Sequence, residues 1–410
     1  MSVEPTDTSL TTAHRSGAGG ANLPRVRAHN ERLILSLLRA GPLSRAELAR
    51  RTGLSAQTVS LIVRALRDEG LLRSGDPIKG RVGQPSVPLT LEPRGAWFAG
   101  LKIGRRSAEL ALIDFSGAVV AHRELLWHSP DLQAALAFVA REWQALTRAI
   151  PRSRLHGLGV ALPFDPWKWP GCLDDPAELA ERWREQDIAA SFGALVEIPV
   201  YVENDATAAC GAELTFGSGR DYRDFAYFFI AHFIGGGLVI DAAVHRGRSG
   251  NAGAFGSMPV PDPLRPGQQI QLIEAASLHV LETMIGEENG RSGAGTKIHR
   301  PDSTAWSRHA DIVERWERRA AAAIASAVAS IAGTVEIEAV IVDGVLPEHV
   351  RRRLCEGVRG AVRAIDTRGI VTPAIVEGSM GAGARTLGAA RLPLFARFLL
   401  DRAVLTRLSS

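Results

Sequence analysis

The residues with the most definite chemistry stand near the N-terminus. Ala56, Gln57, Thr58 and Ser60 follow a Thr-Gly-Leu-Ser turn at residues 52–55, and Arg64 comes four residues later. At the start of a helix lying in a DNA major groove, side chains so placed meet base edges. Gln57 alone among them can make a bidentate contact, to adenine. Arg64 is positioned to meet a phosphate. Further on, the cationic stretch 79–86 contains Gly-Arg-x-Gly-Gln-Pro and carries Arg81 and Gln84. A slim tip of this kind fits a narrow minor groove, where an inserted arginine is favoured. The alternatives are a three-helix interaction module with a solvated polar face and, for 79–86, a merely flexible loop.

The surrounding residues supply the frame these side chains need. Leu33, Ile34, Leu37 and Leu38 fall at helical spacing, and Gly41-Pro42 ends that helix. Ser44-Arg45-Ala46-Glu47 has the capping-box pattern and opens a short helix to about Thr52. Gly53 makes the turn. Ser55 caps a third helix over 56–69, with Val59, Ile62, Val63 and Leu66 on its buried side and Gly70 as its stop. Residues 71–91 read as two strands around the 79–86 hairpin, which completes a winged helix-turn-helix over 23–94. Residues 1–22 hold almost nothing apolar beyond Leu10 and read as a flexible tail.

With 410 residues, 46% hydrophobic and 22% charged, the chain has enough apolar material for two or three cores, which excludes a wholly disordered or fibrous protein. No stretch approaches 18 uninterrupted apolar residues, and residues 1–20 lack the apolar core of a signal peptide, so no membrane association and a cytoplasmic location are expected. Cys172, Cys210 and Cys355 form no closely spaced group and are expected to be buried free thiols. Residues 1–94 carry 14 Lys+Arg against 8 Asp+Glu, leaving 34 against 36 for the rest. The basic charge belongs to the segment that carries the DNA-reading pattern.

After Arg94 the composition turns apolar. Residues 97–103, 108–114 and 119–121 read as three strands, with turns at Gly104 and at Phe115-Ser116-Gly117. A helix over 132–150, a strand over 157–162, a helix near 176–192 and a strand over 200–203 follow, the opening of an α/β domain with a mixed sheet. An Ala-rich helix over 306–332 reads as a packed core helix or a dimer helix. Three motifs then stand out: Val202-Glu203-Asn204-Asp205-Ala206-Thr207-Ala208-Ala209, Ile234-Gly235-Gly236-Gly237-Leu238-Val239-Ile240, and Arg246-Gly247-Arg248-Ser249-Gly250-Asn251-Ala252-Gly253.

With the winged helix in front, these motifs resemble the ROK family (repressors, open reading frames and sugar kinases) from about residue 25 to 400. The resemblance implies an α/β protein with an N-terminal winged helix and a two-lobed, actin-like body of the ribonuclease H-like ATPase type. One lobe is expected from 95–205 plus 385–404 and the other from 206–384; no direct sequence repeat relates the two. Asp205 matches the family's catalytic base. The family's first phosphate loop, Asp-x-Gly-Gly-Thr, is here Lys102-Ile103-Gly104-Arg105-Arg106, and its adenosine-side glycine run is Val342-Asp343-Gly344-Val345. Phosphoryl transfer is therefore not expected, Asp205 is a vestigial base position and no cofactor is called for. The two arginines could instead attract a phosphate as an anion.

On the sugar side the resemblance implies ligand contacts from Asn204, Asp205, Asn251, Ala254, Ser257 and Glu274. Ala254 and Ser257 replace the family's Glu and His, which removes two directional partners for sugar hydroxyls. An unpartnered buried Asp205 would be costly, which favours a ligand there; the alternative is that Asn204 and Asp205 form a turn pair capping the next helix. The family's zinc cluster of cysteines is replaced by Pro261-Asp262-Pro263-Leu264-Arg265-Pro266-Gly267-Gln268, so no metal is expected and packing alone should hold Glu274. Trp167 and Trp169 read either as an aromatic platform for a sugar ring or as buried lid residues. Together these features point to a DNA-binding repressor whose partners are a double-stranded operator and a carbohydrate or derivative. Operator symmetry and the resemblance imply a homodimer or a dimer of dimers. The alternatives are an active sugar kinase with an appended DNA-binding domain and a ligand-independent DNA-binding protein.

Overall fold

The computed structural model describes residues 22–77, 87–127, 130–163, 187–288, 290 and 297–400. The tail before residue 22, the 79–86 tip with Arg81 and Gln84, the loop with Trp167 and Trp169, Cys172 and the first part of the 176–192 helix lie outside these residues.

The head is built as its local signals dictate. Helices α1 (Asn22–Ala40), α2 (Arg45–Thr52) and α3 (Ala56–Asp68) precede strands β1 (Leu72–Ser74) and β2 (Leu89–Leu91). The capping box closes α2: Ser44 Oγ accepts from the Glu47 amide at 3.2 Å, and Glu47 Oε2 accepts from the Ser44 amide at 2.8 Å. Gly53 then turns the chain at φ 69°, a left-handed conformation that other residues adopt only with strain. Ser55 Oγ accepts from the Thr58 amide at 3.1 Å and starts α3. In the wing, Leu72 pairs with Leu91 and Ser74 with Leu89, while Leu43 bridges to Leu89.

The body holds two five-stranded sheets among the described residues. The first comprises β3 (Trp97–Ile103), β4 (Ser107–Asp114), β5 (Val119–Leu126), β6 (Leu155–Leu162) and β7 (Val200–Asn204), in the order β5-β4-β3-β6-β7. The second comprises β8 (Phe225–Ile230), β9 (Ile234–Ile240), β10 (Ala243–His245), β13 (Ala339–Gly344) and β14 (Ala374–Glu377), in the order β10-β9-β8-β13-β14. Each is an antiparallel meander of three strands extended by two parallel ones. The topology is thus repeated where the sequence is not. A small hairpin, β11 (Pro259–Pro261) with β12 (Gln269–Gln271), lies between the two halves of the second sheet in the chain.

Helices α4 (Leu132–Thr147) and α5 (Ile188–Val196) pack with the first sheet's core. Between the lobes runs α6 (Asp205–Phe216). The second lobe adds α7 (Ile273–Ala276), α8 (Leu278–Glu288), α9 (Ala305–Arg308), α10 (Ala310–Ala332) and α11 (Glu348–Ala364), and α12 (Ala384–Phe398) returns to the first sheet. Several boundaries differ from expectation, among them α4 ending at Thr147 and β6 starting at Leu155. The edge strand β5 pairs with β4 as far as Leu126, beyond the expected 119–121, where His122, Arg123 and Glu124 hide its alternation; such charges also blunt an open sheet edge. Asp187 caps α5, which ends at Val196 rather than Phe192. The Ala-rich helix breaks at His309 into α9 and α10, and the Trp316 indole of α10 is buried and donates to the Ser277 carbonyl at 3.1 Å.

The packing of α12 explains several glycines. A Cβ on Gly159 would lie 1.8 Å from the Ala389 carbonyl oxygen, one on Gly100 2.4 Å from that of Thr386, and one on Gly388 1.9 Å from that of Ala208. Only bare backbone allows α12 to lie this close to β3, β6 and α6. Cys210 and Cys355 are buried free thiols, as expected, and burial pushes the Cys355 thiol up to about 12. Among the described residues no helix is long and apolar enough to cross a membrane.

Candidate functional site

Two surfaces carry the residues singled out by chemistry. On α3, Ala56, Gln57 and Arg64 are exposed, whereas Thr58 and Ser60 are half-buried. The Thr58 hydroxyl lies 2.8 Å from Ser55 Oγ, so part of its hydrogen-bonding capacity is spent on the cap. Leu61 is 59% exposed and shares a face with Gln57 and Arg64 at i, i+4 and i+7 spacing. It was absent from the expected reading set. The signal for it was a leucine lying off the buried stripe of Val59, Ile62, Val63 and Leu66.

The second surface is a cavity of about 1050 Å³ between the two sheets. Equivalent turns of the two repeated meanders line it: Gly104-Arg105-Arg106 between β3 and β4, and Ala231-His232-Phe233 between β8 and β9. Lys102 at the end of β3 is buried and engaged, its Nζ donating to Ser107 Oγ at 2.8 Å and to Glu109 Oε1 at 2.9 Å. Glu109 Oε2 accepts from Thr386 Oγ1 at 3.0 Å, and His122 Nε2 lies 3.7 Å from it. Burial draws Glu109 toward neutrality, but Lys102, His122 and Arg385 together hold it well below the ordinary carboxylate range. Arg106 donates to Glu282 Oε2 at 2.8 Å and so links the first lobe to the second.

Asn204, Asp205, Asn251, Ala254 and Ser257 all line the cavity, brought together from the end of β7 and from the segment after β10. Asn204 Oδ1 accepts from the Thr207 amide at 3.0 Å and caps α6, so this oxygen serves the helix. Asp205 is not left without a partner, contrary to expectation: Arg385 Nη1 donates to its Oδ2 at 3.1 Å, and both side chains are largely buried. Glu274 is a correction. Its neighbours Leu272, Ile273, Ala275 and Ala276 take the inward side, and Glu274 is exposed, outside the lining of the cavity. Hydrogen bonds as well as packing hold it, since its carboxylate accepts from the Gln271 amide and its carbonyl from Arg319, each at 2.8 Å.

The residues standing where the resemblance places a zinc cluster do not fit a metal. Asp262 is buried and its carboxylate already accepts from the Leu264 amide and from Arg265 Nε, each at 2.9 Å, with no thiolate in 261–268.

Head and cavity are joined by two helices. Both α6 and α12 begin at the cavity, with Asp205 and Arg385, and end against α1. Arg39 Nη2 donates to the Thr215 carbonyl at 3.1 Å, and its guanidinium lies 4.6 Å from the Phe216 ring centre. Arg32 donates to the carbonyls of Leu399 and Phe395 at 3.0 and 2.9 Å. These are the carbonyls that a helix end leaves without internal partners. Midway, Arg391 Nε of α12 donates to Thr215 Oγ1 of α6 at 2.6 Å. Head residues Ile34, Leu38 and Leu66 also share one buried core with Phe98, Phe115 and Phe398, so the head is packed onto the first lobe.

Comparison with known proteins agrees with this architecture. Residues 98–394 match the ROK family, and residues 27–73 match the winged helix-turn-helix DNA-binding family. Uncharacterized protein y4fQ of Sinorhizobium fredii is 28% identical over 92% of this chain and 93% of its own length. The xylose repressor of Bacillus subtilis is 28% identical over 57% of this chain, and the match spans only 61% of that repressor. Among solved structures, a ROK family transcriptional regulator, homolog of the E. coli MLC protein, superposes with a TM-score of 0.67 at 21% identity, covering 93% of this chain and 98% of its own. A ROK family glucokinase from Streptomyces griseus, in complex with glucose and AMPPNP, gives 0.56 at 21% identity over 72% of this chain and 99% of its own. With the family match extending over most of the chain and the winged helix in place before it, this protein belongs to the ROK family.

Proposed function

We propose that this chain is a DNA-binding transcriptional repressor whose operator affinity is set by a carbohydrate or carbohydrate derivative in the interlobe cavity. One observation carries the reading: α6 and α12 start at the cavity, cross tightly, and end on α1 of the head. A ligand that favours one separation of the lobes changes how these helices cross, and the head rides on their far ends. Such a ligand shifts a pre-existing equilibrium by its differential affinity for the two states. A coupling of about 1–3 kcal/mol is enough for regulation. In a homodimer or a dimer of dimers, the same shift moves two heads relative to operator half-sites. Gln57 reads adenine, Leu61 meets a thymine methyl, and Arg64 and the wing residues Arg81 and Gln84 hold the backbone or the minor groove.

Phosphoryl transfer is a weaker reading despite Asp205 and the glucokinase likeness. Bulky side chains stand at both meander tips where a nucleotide phosphate needs bare backbone, and Lys102 is committed to Glu109. The test is fluorescence-anisotropy binding of the full chain to its own upstream DNA at fixed salt, with and without sugars, polyols and sugar phosphates. Selective binding that one compound changes is the expected result; sugar-dependent ADP release from ATP and magnesium would replace this reading with the kinase. Gln57→Ala should cost about 1–3 kcal/mol of discrimination at one base position.

A further inference from the structure

Two histidines and a glutamate meet on the second lobe, where His232 lines the cavity. His279 and Glu282 are one turn apart on α8, and His232 comes from the β8–β9 turn. One ligand atom from each lies within 4.8 Å of the others. Glu282 is 4% exposed and its Oε1 makes no hydrogen bond among the described residues; neither do the two ring nitrogens of His232, whose side chain is 12% exposed. Three buried polar atoms left this way are a deficit that a bound species would remove.

We propose that His232, His279 and Glu282 hold a divalent first-row transition cation of the zinc class. The donor set is two imidazoles and one carboxylate oxygen, which suits zinc, cobalt or nickel and falls short of the all-oxygen shell that calcium or magnesium prefers. Glu282 is already oriented: Arg106 occupies Oε2 at 2.8 Å and leaves Oε1 for the metal, the supporting hydrogen bond that metal-binding carboxylates need. The positive groups facing the site are Arg105 and Arg106; the second is neutralised by Glu282 itself. His279 is exposed and opens a path to solvent, and His299 Nδ1 lies 3.9 Å from Glu282 Oε1, where a fourth ligand would come. The bound ion would grip the same carboxylate that ties the two lobes together.

The expectation of no metal came from the missing cysteines at 261–268, a different part of the second lobe. The signal that was available is His-x-x-Glu on one helix, which puts both side chains on the same face.

The test uses full-length protein stripped with a chelator and then titrated with Zn²⁺ against a chromophoric competitor. A parallel Co²⁺ titration is read by its visible absorption bands. One equivalent per chain with cobalt bands of low-coordinate nitrogen and oxygen ligation is expected. His279→Ala, an exposed position that leaves the fold intact, should weaken binding by at least the roughly 10- to 100-fold that loss of a supporting partner alone costs. His232→Asn should do the same. Absence of stoichiometric binding, or unchanged affinity in His279→Ala, overturns the site. Thermal stabilisation by inorganic phosphate but not by Zn²⁺ also overturns it and assigns the pocket to an anion. None of these readouts involves DNA, so the outcome is independent of the regulatory reading.

Discussion

In the first lobe, the buried carboxylate of Glu109 has Lys102 at 2.9 Å, Thr386 at 3.0 Å and His122 beyond. In the second, the buried carboxylate of Asp343 ends β13, where it accepts from the Tyr227 hydroxyl at 3.1 Å and the Gly381 amide at 2.9 Å, with Arg351 at 3.6 Å. The two sheets share one strand order, but Glu109 lies on β4 between two antiparallel neighbours and Asp343 on β13 between two parallel ones. Glu109 is held ionised. Burial, together with the neighbouring Glu213 carboxylate, pushes Asp343 up to about 6. The charge state of each acid follows from the identity and distance of its partners. The lobes differ in packing as well: the first accepts α12 through bare glycines, and the second fills its interior with Trp316 and the alanines of α10.

The sharpest way to break this contrast is to remove the cation from the first lobe. Lys102→Met strands Glu109 in a buried site and should cost about 3–5 kcal/mol at neutral pH, seen in urea denaturation. Adding Glu109→Gln to it should recover much of that loss. The Glu109 contribution is present above its unfolded value near 4.5 and is lost as pH falls, because its folded value is depressed; the deficit of Lys102→Met should shrink accordingly in acid. A recovery-free double variant would mean that the loss comes from another partner of the Lys102 ammonium, such as Ser107, and not from a stranded Glu109.

The second lobe should respond with the opposite sign. Because the Asp343 folded value is raised, the folded chain keeps a proton that the unfolded chain has released between about pH 4 and 6. Stability attributable to this group therefore falls as pH rises through that window and stays lower above it. Asp343→Asn, which preserves an acceptor for Tyr227 or Gly381, should raise stability above pH 6, by at most about 3 kcal/mol, with the benefit fading toward pH 4. A pH-independent effect in melting experiments would erase the contrast between the lobes.

The smallest change is expected at the rim. Arg246 pairs with Glu203 across the lobes but is 47% exposed, and Arg246→Gln should alter unfolding free energy by less than about 1 kcal/mol. A larger loss would make the rim, and not the buried pairs, the element that holds the lobes together.

Legibility in the sequence followed the range of the interactions. The head could be read because its instructions are local: Ser44 and Glu47 close a capping box within four residues, Gly53 takes its turn by its own backbone freedom, and Gln57 and Arg64 sit on a face defined by helical period alone. The cavity was partly visible through Asn204, Asp205, Asn251, Ala254 and Ser257, which lie at the ends of strands or in glycine-rich turns. Glu274 misled because a motif match carries no information about which way a four-residue helix rolls; Leu272, Ile273, Ala275 and Ala276 settled that by burial.

Other features had no local signature. Nothing near Asp205 announces Arg385, 180 positions away, and nothing near Arg106 announces Glu282. The strand order repeats between lobes that share no sequence repeat, since a fold needs the right pattern of apolar residues of about the right size and leaves each residue's identity loosely constrained.

By itself, then, the sequence determined the helix caps, the turn glycines, the buried stripes and the family motifs, all of which depend on residues within a turn or a strand of one another. The tertiary structure decided which charges neutralise which, where the cavity closes and how α6 and α12 tie it to the head. Those outcomes depend on through-space distances of a few ångströms between groups far apart in the chain, and Coulomb energy and desolvation act on those distances, not on sequence separation.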